Sequence, residues 1–143
     1  MVIRYKVPYR ITWEGGKVIR INFDQQTHVQ TCTASKEINE YLDGRRKTFT
    51  FPFEISGTPF EKAVYRTLMK VPYGKTVSYG ELARKAGYPG ASRAVGNAMN
   101  KNPFAILVPC HRVIKSDGGL GGFASDTDIK AALLSLEEEY KSG

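Results

Sequence analysis

The N-terminal part of the chain alternates apolar and polar side chains in short runs, a pattern typical of β-strands. Residues 3–13 and 18–23 form two such runs on either side of Glu14-Gly15-Gly16-Lys17, which predicts an antiparallel hairpin. Residues 29–33 predict a third strand. The chain is therefore expected to begin with a small sheet.

A short helix and an extended segment are predicted next. Ser35 has the side chain of a helix N-cap, and the helix should run through Tyr41-Leu42 and end at Gly44. The segment 45–55 is aromatic, contains a proline and is expected to be extended. Ser56-Gly57 then marks the junction between two parts of the chain.

The second part is helical in pattern. Thr58-Pro59 predicts a helix start with proline at the first position, and apolar residues from Phe60 to Leu68 share one face. Ser78 is expected to cap a second helix through Ala86, with Glu81 completing a capping box.

A turn at 87–90 separates that helix from a third, which Ser92 is expected to cap and which should run through Asn100. Two short helices joined by a glycine-containing turn predict a helix-turn-helix. An apolar run at 104–108 predicts a buried strand leading into Cys110. A glycine-rich loop at 117–122 and a last helix from Asp126 to about Lys141 follow.

These patterns predict an α+β fold with two lobes. Residues 1–56 form a small mixed N-terminal lobe, a β-sheet plus a helix. Residues 57–143 form a helical C-terminal lobe with a winged-helix-like helix-turn-helix.

Charge favours a polyanionic partner. The 143 residues carry 21 Lys+Arg against 14 Asp+Glu, a net charge of +7. Residues 57–125 alone hold ten basic and three acidic side chains, so the excess lies around Cys110. With no signal-peptide pattern and no long apolar span, we expect a soluble, cytoplasmic protein with no membrane partner.

Pro109-Cys110-His111-Arg112-Val113 carries the candidate chemistry. A thiol is a nucleophile only as thiolate, and nearby cations lower its pKa. Sequence adjacency alone does not make His111 the base for Cys110, because neighbours on a strand point to opposite faces. A buried cysteine with no chemical role is the simpler interpretation of the motif by itself.

No cofactor or metal is predicted. Two cysteines in a reducing compartment argue against disulfides, and His28 with Cys32 are too few ligands for a structural zinc site.

The C-terminal part resembles the O6-alkylguanine-DNA alkyltransferases, also called methylated-DNA–protein-cysteine methyltransferases. The resemblance rests on ordered motifs from about Thr58 to Glu137. They are Pro72-Tyr-Gly-Lys75, Ser78-Tyr79, Ser92-Arg-Ala-Val-Gly96, Asn102-Pro103, Pro109-Cys-His-Arg-Val113, the Gly-Gly loop and Leu133-Leu-Ser-Leu-Glu137. It implies a monomeric DNA-repair protein that moves an alkyl group from guanine O6, and more weakly thymine O4, in duplex DNA irreversibly onto its own cysteine.

The resemblance also implies residue roles. Cys110 is the acceptor, His111 deprotonates it through a water, and Glu137 orients His111. Asn102 braces the cysteine turn, and Tyr79 donates to the leaving guanine. Arg93 fills the place of the flipped base while the helix-turn-helix reads the minor groove. The implied DNA-contact set is Tyr79, Ser92, Arg93, Ala94, Gly96 and Asn97, and the implied substrate pocket is Val113, Phe123, Ala124 and Ser125.

One departure concerns that pocket. Phe123 stands where members often have tyrosine, so tolerance of bulky groups such as benzyl is in doubt.

Three other classes of protein compete with this interpretation. An alkyltransferase-like binding protein lacks the acceptor thiol that Cys110 supplies. A DNA-binding regulator that senses damage through its cysteine would need a regulatory domain, and a thiol hydrolase would need a histidine from a distant part of the chain.

Overall fold

The computed structural model describes residues 9–23, 33–115 and 127–141. The predicted hairpin is confirmed: β1 (Tyr9–Glu14) and β2 (Lys17–Phe23) pair antiparallel, with an irregularity between Thr12 and Trp13. Gly15 and Gly16 turn the chain at φ +59° and +78°, the left-handed region that glycine adopts without strain.

The first helix begins earlier than the capping signal predicts. Helix α1 spans Thr33–Leu42, so Ser35 lies inside it, buried, and the predicted N-cap is wrong. Thr33 is helical, which removes the end of the predicted third strand; residues 24–32 lie outside the described residues. Gly44 follows the helix at φ +79°, as a helix stop requires.

Segment 45–55 is neither a helix nor a named strand, and Phe53 bridges to Val18 of the hairpin. The Val18 amide donates to the Pro52 carbonyl at 2.9 Å, and the Glu54 amide donates to the Val18 carbonyl at 3.1 Å. This part of the chain therefore pairs with β2 through a short parallel bridge between Val18 and Phe53.

The helix predicted at Thr58-Pro59 is confirmed. Helix α2 spans Pro59–Leu68, Thr58 is its N-cap, and Thr58 and Glu61 form a reciprocal capping box. Val64 and Leu68 are fully buried, so the apolar face predicted from the sequence packs into the core.

The helix-turn-helix is also present. Helix α3 spans Tyr79–Lys85, and the Ser78 hydroxyl accepts from the Glu81 amide. The Glu81 carboxylate lies 3.1 Å from Lys85 instead of completing a capping box. A turn with positive φ at Gly87 and Gly90 leads into the next helix.

Helix α4 spans Ser92–Asn100, and its N-cap is Ala91, without a side-chain cap. The prediction that Ser92 caps this helix is therefore wrong by one position. The backbone shows this: Ala91, at φ −94° and ψ 32°, has the non-helical geometry of an N-cap, whereas Ser92 is the first helical residue.

The apolar run before the cysteine is buried but is not a strand. Residues 105–107 form turns, and Ile106 has φ +73°, which no extended strand contains. The Val108 amide donates to the Phe104 carbonyl at 2.9 Å, closing a compact loop. The strand prediction failed because complete burial, and not strand pairing, selects apolar residues here.

The loop before the cysteine is bonded to the hairpin. The Ile21 amide donates to the Pro103 carbonyl at 2.6 Å, and the Ala105 amide donates to the Ile21 carbonyl at 2.8 Å. Strand β2 thus lies beside the loop that leads to Cys110, and Phe104 packs edge-on against Phe53.

A 3₁₀ turn at Cys110–Arg112 leads into β4 (Val113–Ile114), which pairs parallel with β3 (Val77–Ser78). Helix α5 spans Thr127–Tyr140, close to the predicted bounds. The mixed α+β class is confirmed, whereas the winged-helix character stays a prediction. Among the described residues, no helix is long and apolar enough to cross a membrane.

Candidate active site

Cys110 opens the 3₁₀ turn at the end of the compact loop and is almost completely buried. Its amide donates to the Val108 carbonyl at 2.7 Å. The Asn102 side chain closes the same loop: its amide nitrogen donates to the Val108 carbonyl at 2.9 Å, and its oxygen accepts from the Phe104 amide at 2.9 Å. The predicted bracing role of Asn102 therefore has a direct geometric basis.

Burial raises the pKa of the Cys110 thiol to about 11. The Asn102 amide, the Lys130 ammonium and the local backbone amides favour the thiolate, but they do not outweigh desolvation. Cys110 is therefore a neutral thiol at rest. It needs a base if it is to act as a nucleophile near neutral pH.

His111 and Glu137 form a directly bonded pair. His111 Nε2 lies 2.6 Å from Glu137 Oε2, and both side chains are fully buried. Because a carboxylate only accepts, the contact places a proton on Nε2 and leaves Nδ1 as the acceptor. Nδ1 is buried and has no hydrogen-bond partner among the described residues.

Burial lowers the pKa of His111, and the bond to Glu137 only partly opposes this. The histidine is therefore neutral near pH 7 and able to accept a proton at Nδ1.

Arg112 is a site residue that the sequence reasoning passed over. Its Nε lies 2.8 Å from Glu137 Oε1, and its Nη2 lies 2.8 Å from Oε2. Its Nη1 donates to the Val71 carbonyl at 2.8 Å, and its guanidinium lies over the Tyr73 ring. Its position beside His111 in the motif was the available signal.

The Glu137 carboxylate is held ionised. Burial alone would raise its pKa, but the bonds from His111 and Arg112 hold the pKa well below its usual range. The Gly74 amide adds a bond to Oε1 at 3.1 Å. Gly74 sits at φ +80°, which explains the glycine in the Pro72-Tyr-Gly-Lys75 motif.

Lys130 is a second residue that sequence reasoning missed. It is fully buried, its Nζ donates to the Val113 carbonyl at 2.6 Å, and Nζ lies 5.9 Å from the centre of the Tyr79 ring. Burial lowers the pKa of Lys130, and the nearby thiol of Cys110 opposes that shift. No sequence signal marks it, because its neighbours in space come from distant parts of the chain.

Tyr79 belongs to α3 and is electrostatically coupled to Cys110. It is the first residue of α3 and is half-buried. Burial raises its pKa, and the Cys110 group adds to the rise. A Cβ atom at Gly96 would lie 4.0 Å from the Tyr79 ring, so the small residues of α4 leave the ring room beside that helix.

All the predicted DNA-contact residues except Tyr79, which begins α3, lie on α4 outside its buried side. Ser92, Arg93, Ala94 and Asn97 are exposed and Gly96 is half-buried. The opposite side of the helix, including Val95 and Met99, packs into the core. Helix α4 therefore presents a polar and small-residue surface outside the core.

Part of the predicted pocket lies outside the described residues. Val113 is fully buried, whereas Phe123, Ala124 and Ser125 fall in the segment 116–126. His28 and Cys32 also lie outside the described residues. Within 9–23, 33–115 and 127–141, no three metal-binding side chains cluster together.

Comparison with known proteins agrees with this architecture. The DNA-binding domain of 6-O-methylguanine DNA methyltransferases matches residues 59–139. A methylated-DNA–protein-cysteine methyltransferase of Methanosarcina acetivorans is 51% identical over 104 residues, covering 73% of this chain and 67% of that protein. The protein of that name from Mycobacterium tuberculosis is 46% identical over 142 residues, covering 92% and 86%.

A solved structure shares the fold. The crystal structure of Mycobacterium tuberculosis OGT in complex with DNA superposes with a TM-score of 0.85 at 36% identity, over 92% of this chain and 87% of that one. Fold, site and matches together define the class as a DNA-repair methyltransferase. The chain belongs to the methylated-DNA–protein-cysteine methyltransferase family, and the resemblance inferred from its motifs is confirmed.

Proposed function

We propose that this protein removes an alkyl group from the O6 position of guanine, and more weakly from O4 of thymine, in double-stranded DNA. The group moves onto Sγ of Cys110. The observation that carries the proposal is a buried thiol followed in the chain by a neutral histidine. The Nδ1 of this histidine has no hydrogen-bond partner among the described residues, and its Nε2 is bonded to an ionised carboxylate.

The transfer is an in-line displacement. The thiol proton passes through a water to His111 Nδ1, and the imidazolium is stabilised by Glu137. The Sγ–carbon bond forms as the carbon–O6 bond breaks, and the electron pair leaves on guanine. The Tyr79 hydroxyl protonates the departing base, and the phenolate takes a proton from solvent as His111 releases the thiol proton to solvent. Because a thioether has no good leaving group, Cys110 is consumed and each molecule acts once. The protein acts as a monomer.

Access to the target requires base flipping. The O6 atom of guanine lies inside the stacked duplex, so the nucleotide has to be extruded before the thiol can reach its alkyl group. Arg93, exposed at the second position of α4, is suited to fill the vacated place. The small residues of α4 allow close approach to the minor groove, and the basic surroundings hold the phosphates.

Intact-mass measurement tests the proposal. After incubation with an oligonucleotide that contains O6-methylguanine, the protein mass should rise by about 14 Da, one methylene, and stay raised. The Cys110→Ser variant should gain no mass but should bind the duplex, since phosphate and groove contacts provide most of the affinity. Cys32→Ser is the matched control and should behave like the wild type.

Three results would contradict the proposal. A product without a protein adduct would indicate a hydrolase, and binding without an adduct in the wild-type protein would indicate a pure binder. A methyl group found on the Cys110→Ser variant would show that another residue is the acceptor.

A further inference from the structure

We propose that Tyr41, at the end of helix α1, is a positioning residue for the His111–Glu137 pair, so that the N-terminal lobe takes part in activating the thiol. The inference rests on the proposed role of His111 as the base. Tyr41 lies outside residues 59–139, the segment that matches the family's DNA-binding domain. The sequence reasoning assigned it no chemistry.

The Tyr41 hydroxyl lies where the base and its carboxylate meet. It is 2.6 Å from Glu137 Oε2 and 3.2 Å from His111 Nε2, and the side chain is fully buried. Glu137 Oε2 thus receives three donors, from Tyr41, His111 and Arg112. An oxygen with three donors is fixed in position more tightly than the histidine bond alone would fix it.

Donor and acceptor roles make the arrangement specific. The carboxylate only accepts, so the phenol proton points to Glu137 Oε2 and a phenol lone pair faces His111 Nε2. Both neighbours of Nε2 are then acceptors, which favours the tautomer with its proton on Nε2. That tautomer leaves Nδ1 as the proton acceptor, as thiol activation requires.

The hydroxyl also sets how basic His111 is. A donor to Glu137 withdraws electron density from the carboxylate, and a less basic carboxylate stabilises the imidazolium less. Without the hydroxyl, Glu137 should favour the imidazolium more and the pKa of His111 should rise. The other titratable or charged groups that act on His111 or adjoin this cluster are Arg112 and Cys110 on its own turn, Lys130 on α5 and Tyr73 in the loop after α2.

Aromatic packing from two parts of the chain fixes the Tyr41 ring. The ring centre lies 5.8 Å from that of Phe49 and 6.0 Å from that of Tyr73, the latter edge-on. One turn earlier in α1, Glu37 accepts from the Thr50 amide at 2.7 Å, which ties the extended segment to the helix. Tyr41 is therefore held by Phe49 from the N-terminal part of the chain and by Tyr73 from the C-terminal part, while its hydroxyl contacts His111 and Glu137.

The test is the rate–pH profile of methyl transfer from a methylated duplex to Tyr41→Phe. The variant keeps the ring and loses only the hydroxyl. We expect transfer to slow about tenfold near neutral pH and the acidic limb to move to higher pH, so that the loss is larger at about pH 6 than at about pH 8.5. Duplex affinity, measured in the Cys110→Ser background, should not change.

Tyr65→Phe is the matched control. Its buried hydroxyl donates to the Ala98 carbonyl at 2.8 Å, so the variant loses a comparable hydrogen bond without touching His111 or Glu137. Its profile should keep the wild-type acidic limb. Identical profiles for Tyr41→Phe and Tyr65→Phe would show that Tyr41 is only structural and would overturn the inference.

A second measurement needs no change at Tyr41. In a His28→Gln protein labelled with ¹⁵N-histidine, NMR should show His111 protonated on Nε2, and a proton on Nδ1 would overturn the inference. The proposed function fails in a different experiment. If Cys110→Ser still accepts methyl, the acceptor assignment is wrong whatever Tyr41→Phe does.

Discussion

The Arg112 guanidinium forms a bidentate ion pair with the Glu137 carboxylate, in which Nε lies 2.8 Å from Oε1 and Nη2 lies 2.8 Å from Oε2. Both side chains are buried, so neither charge can be satisfied by bulk solvent. Arg112 follows His111 in the sequence, and Glu137 contacts His111 in space. The bonds from His111 and Arg112 together keep the Glu137 carboxylate ionised in this buried position.

Loss of that cation should be costly. Arg112→Gln leaves a buried carboxylate without its counter-ion. We expect the free energy of unfolding, measured in urea, to fall by about 3–5 kcal/mol. Arg45→Ala is the control, because its pair with Asp43 is exposed and should contribute about 1 kcal/mol or less. Equal urea midpoints for the two variants would contradict the importance given to Arg112.

The Cys110 thiol should lose its proton only at high pH. Burial disfavours the charged thiolate and raises the pKa of Cys110 to about 11, so the thiolate fraction should keep rising with pH up to that range. In Cys32→Ser protein, the iodoacetamide reaction of Cys110 should therefore still accelerate above about pH 9, where an ordinary thiol has reached its plateau. Methyl transfer from DNA should be nearly flat from about pH 7 to 9, because His111 supplies the base. A plateau of the iodoacetamide rate below about pH 8.5 would show that the thiol is already activated at rest.

Arg93→Ala should slow repair of a duplex by about tenfold or more, since extrusion of a stacked base costs a few kcal/mol. Reaction with the free modified base should change little, because there is no stack to hold open. Arg20→Ala, which removes an exposed arginine from β2, controls for net charge. Equal losses on duplex and free base would place Arg93 in the chemistry or in folding instead.

Alkylation should weaken the folded protein. Cys110 is 6% exposed and packed against the core, and adding a methyl to such a site costs about 1–3 kcal/mol. The adduct also removes the proton that the His111–Glu137 pair is arranged to take. Melting midpoints should fall from free to methylated to benzylated protein. Cys110→Ser exposed to the same reagents is the control, and midpoints that stay level or rise would show that the pocket absorbs the adduct.

Local capping chemistry made much of the C-terminal lobe predictable. The side chains of Thr58 and Ser78 accept hydrogen bonds from backbone amides three residues later, as helix N-caps do. The predicted turn at Gly87 has positive φ, which glycine adopts easily. The loop before Cys110 was not predictable, because Ile106 holds a left-handed conformation that its side chain disfavours. Only tertiary packing can enforce such a geometry.

The site was predictable in part for a related reason. Cys110 and His111 stand in a recognisable motif, and the resemblance supplied the distant Glu137. Tyr41 and Lys130 are ordinary residues in their local sequence, and their positions depend on contacts across 96 and 17 residues of chain. Periodicity and capping describe neighbours along the chain, so they carry no information about such encounters.

The backbone bonds between Ile21 and the loop at Pro103 and Ala105 have a thermodynamic consequence. The edge of the N-terminal hairpin is paired with the segment that shapes the nucleophile's turn, so melting the hairpin exposes amides and carbonyls on both sides at once. Heat-capacity measurements should therefore record a single transition whose calorimetric and van't Hoff enthalpies agree. Slow hydrogen exchange at Ile21 should be lost together with that at Ala105, as one cooperative unit.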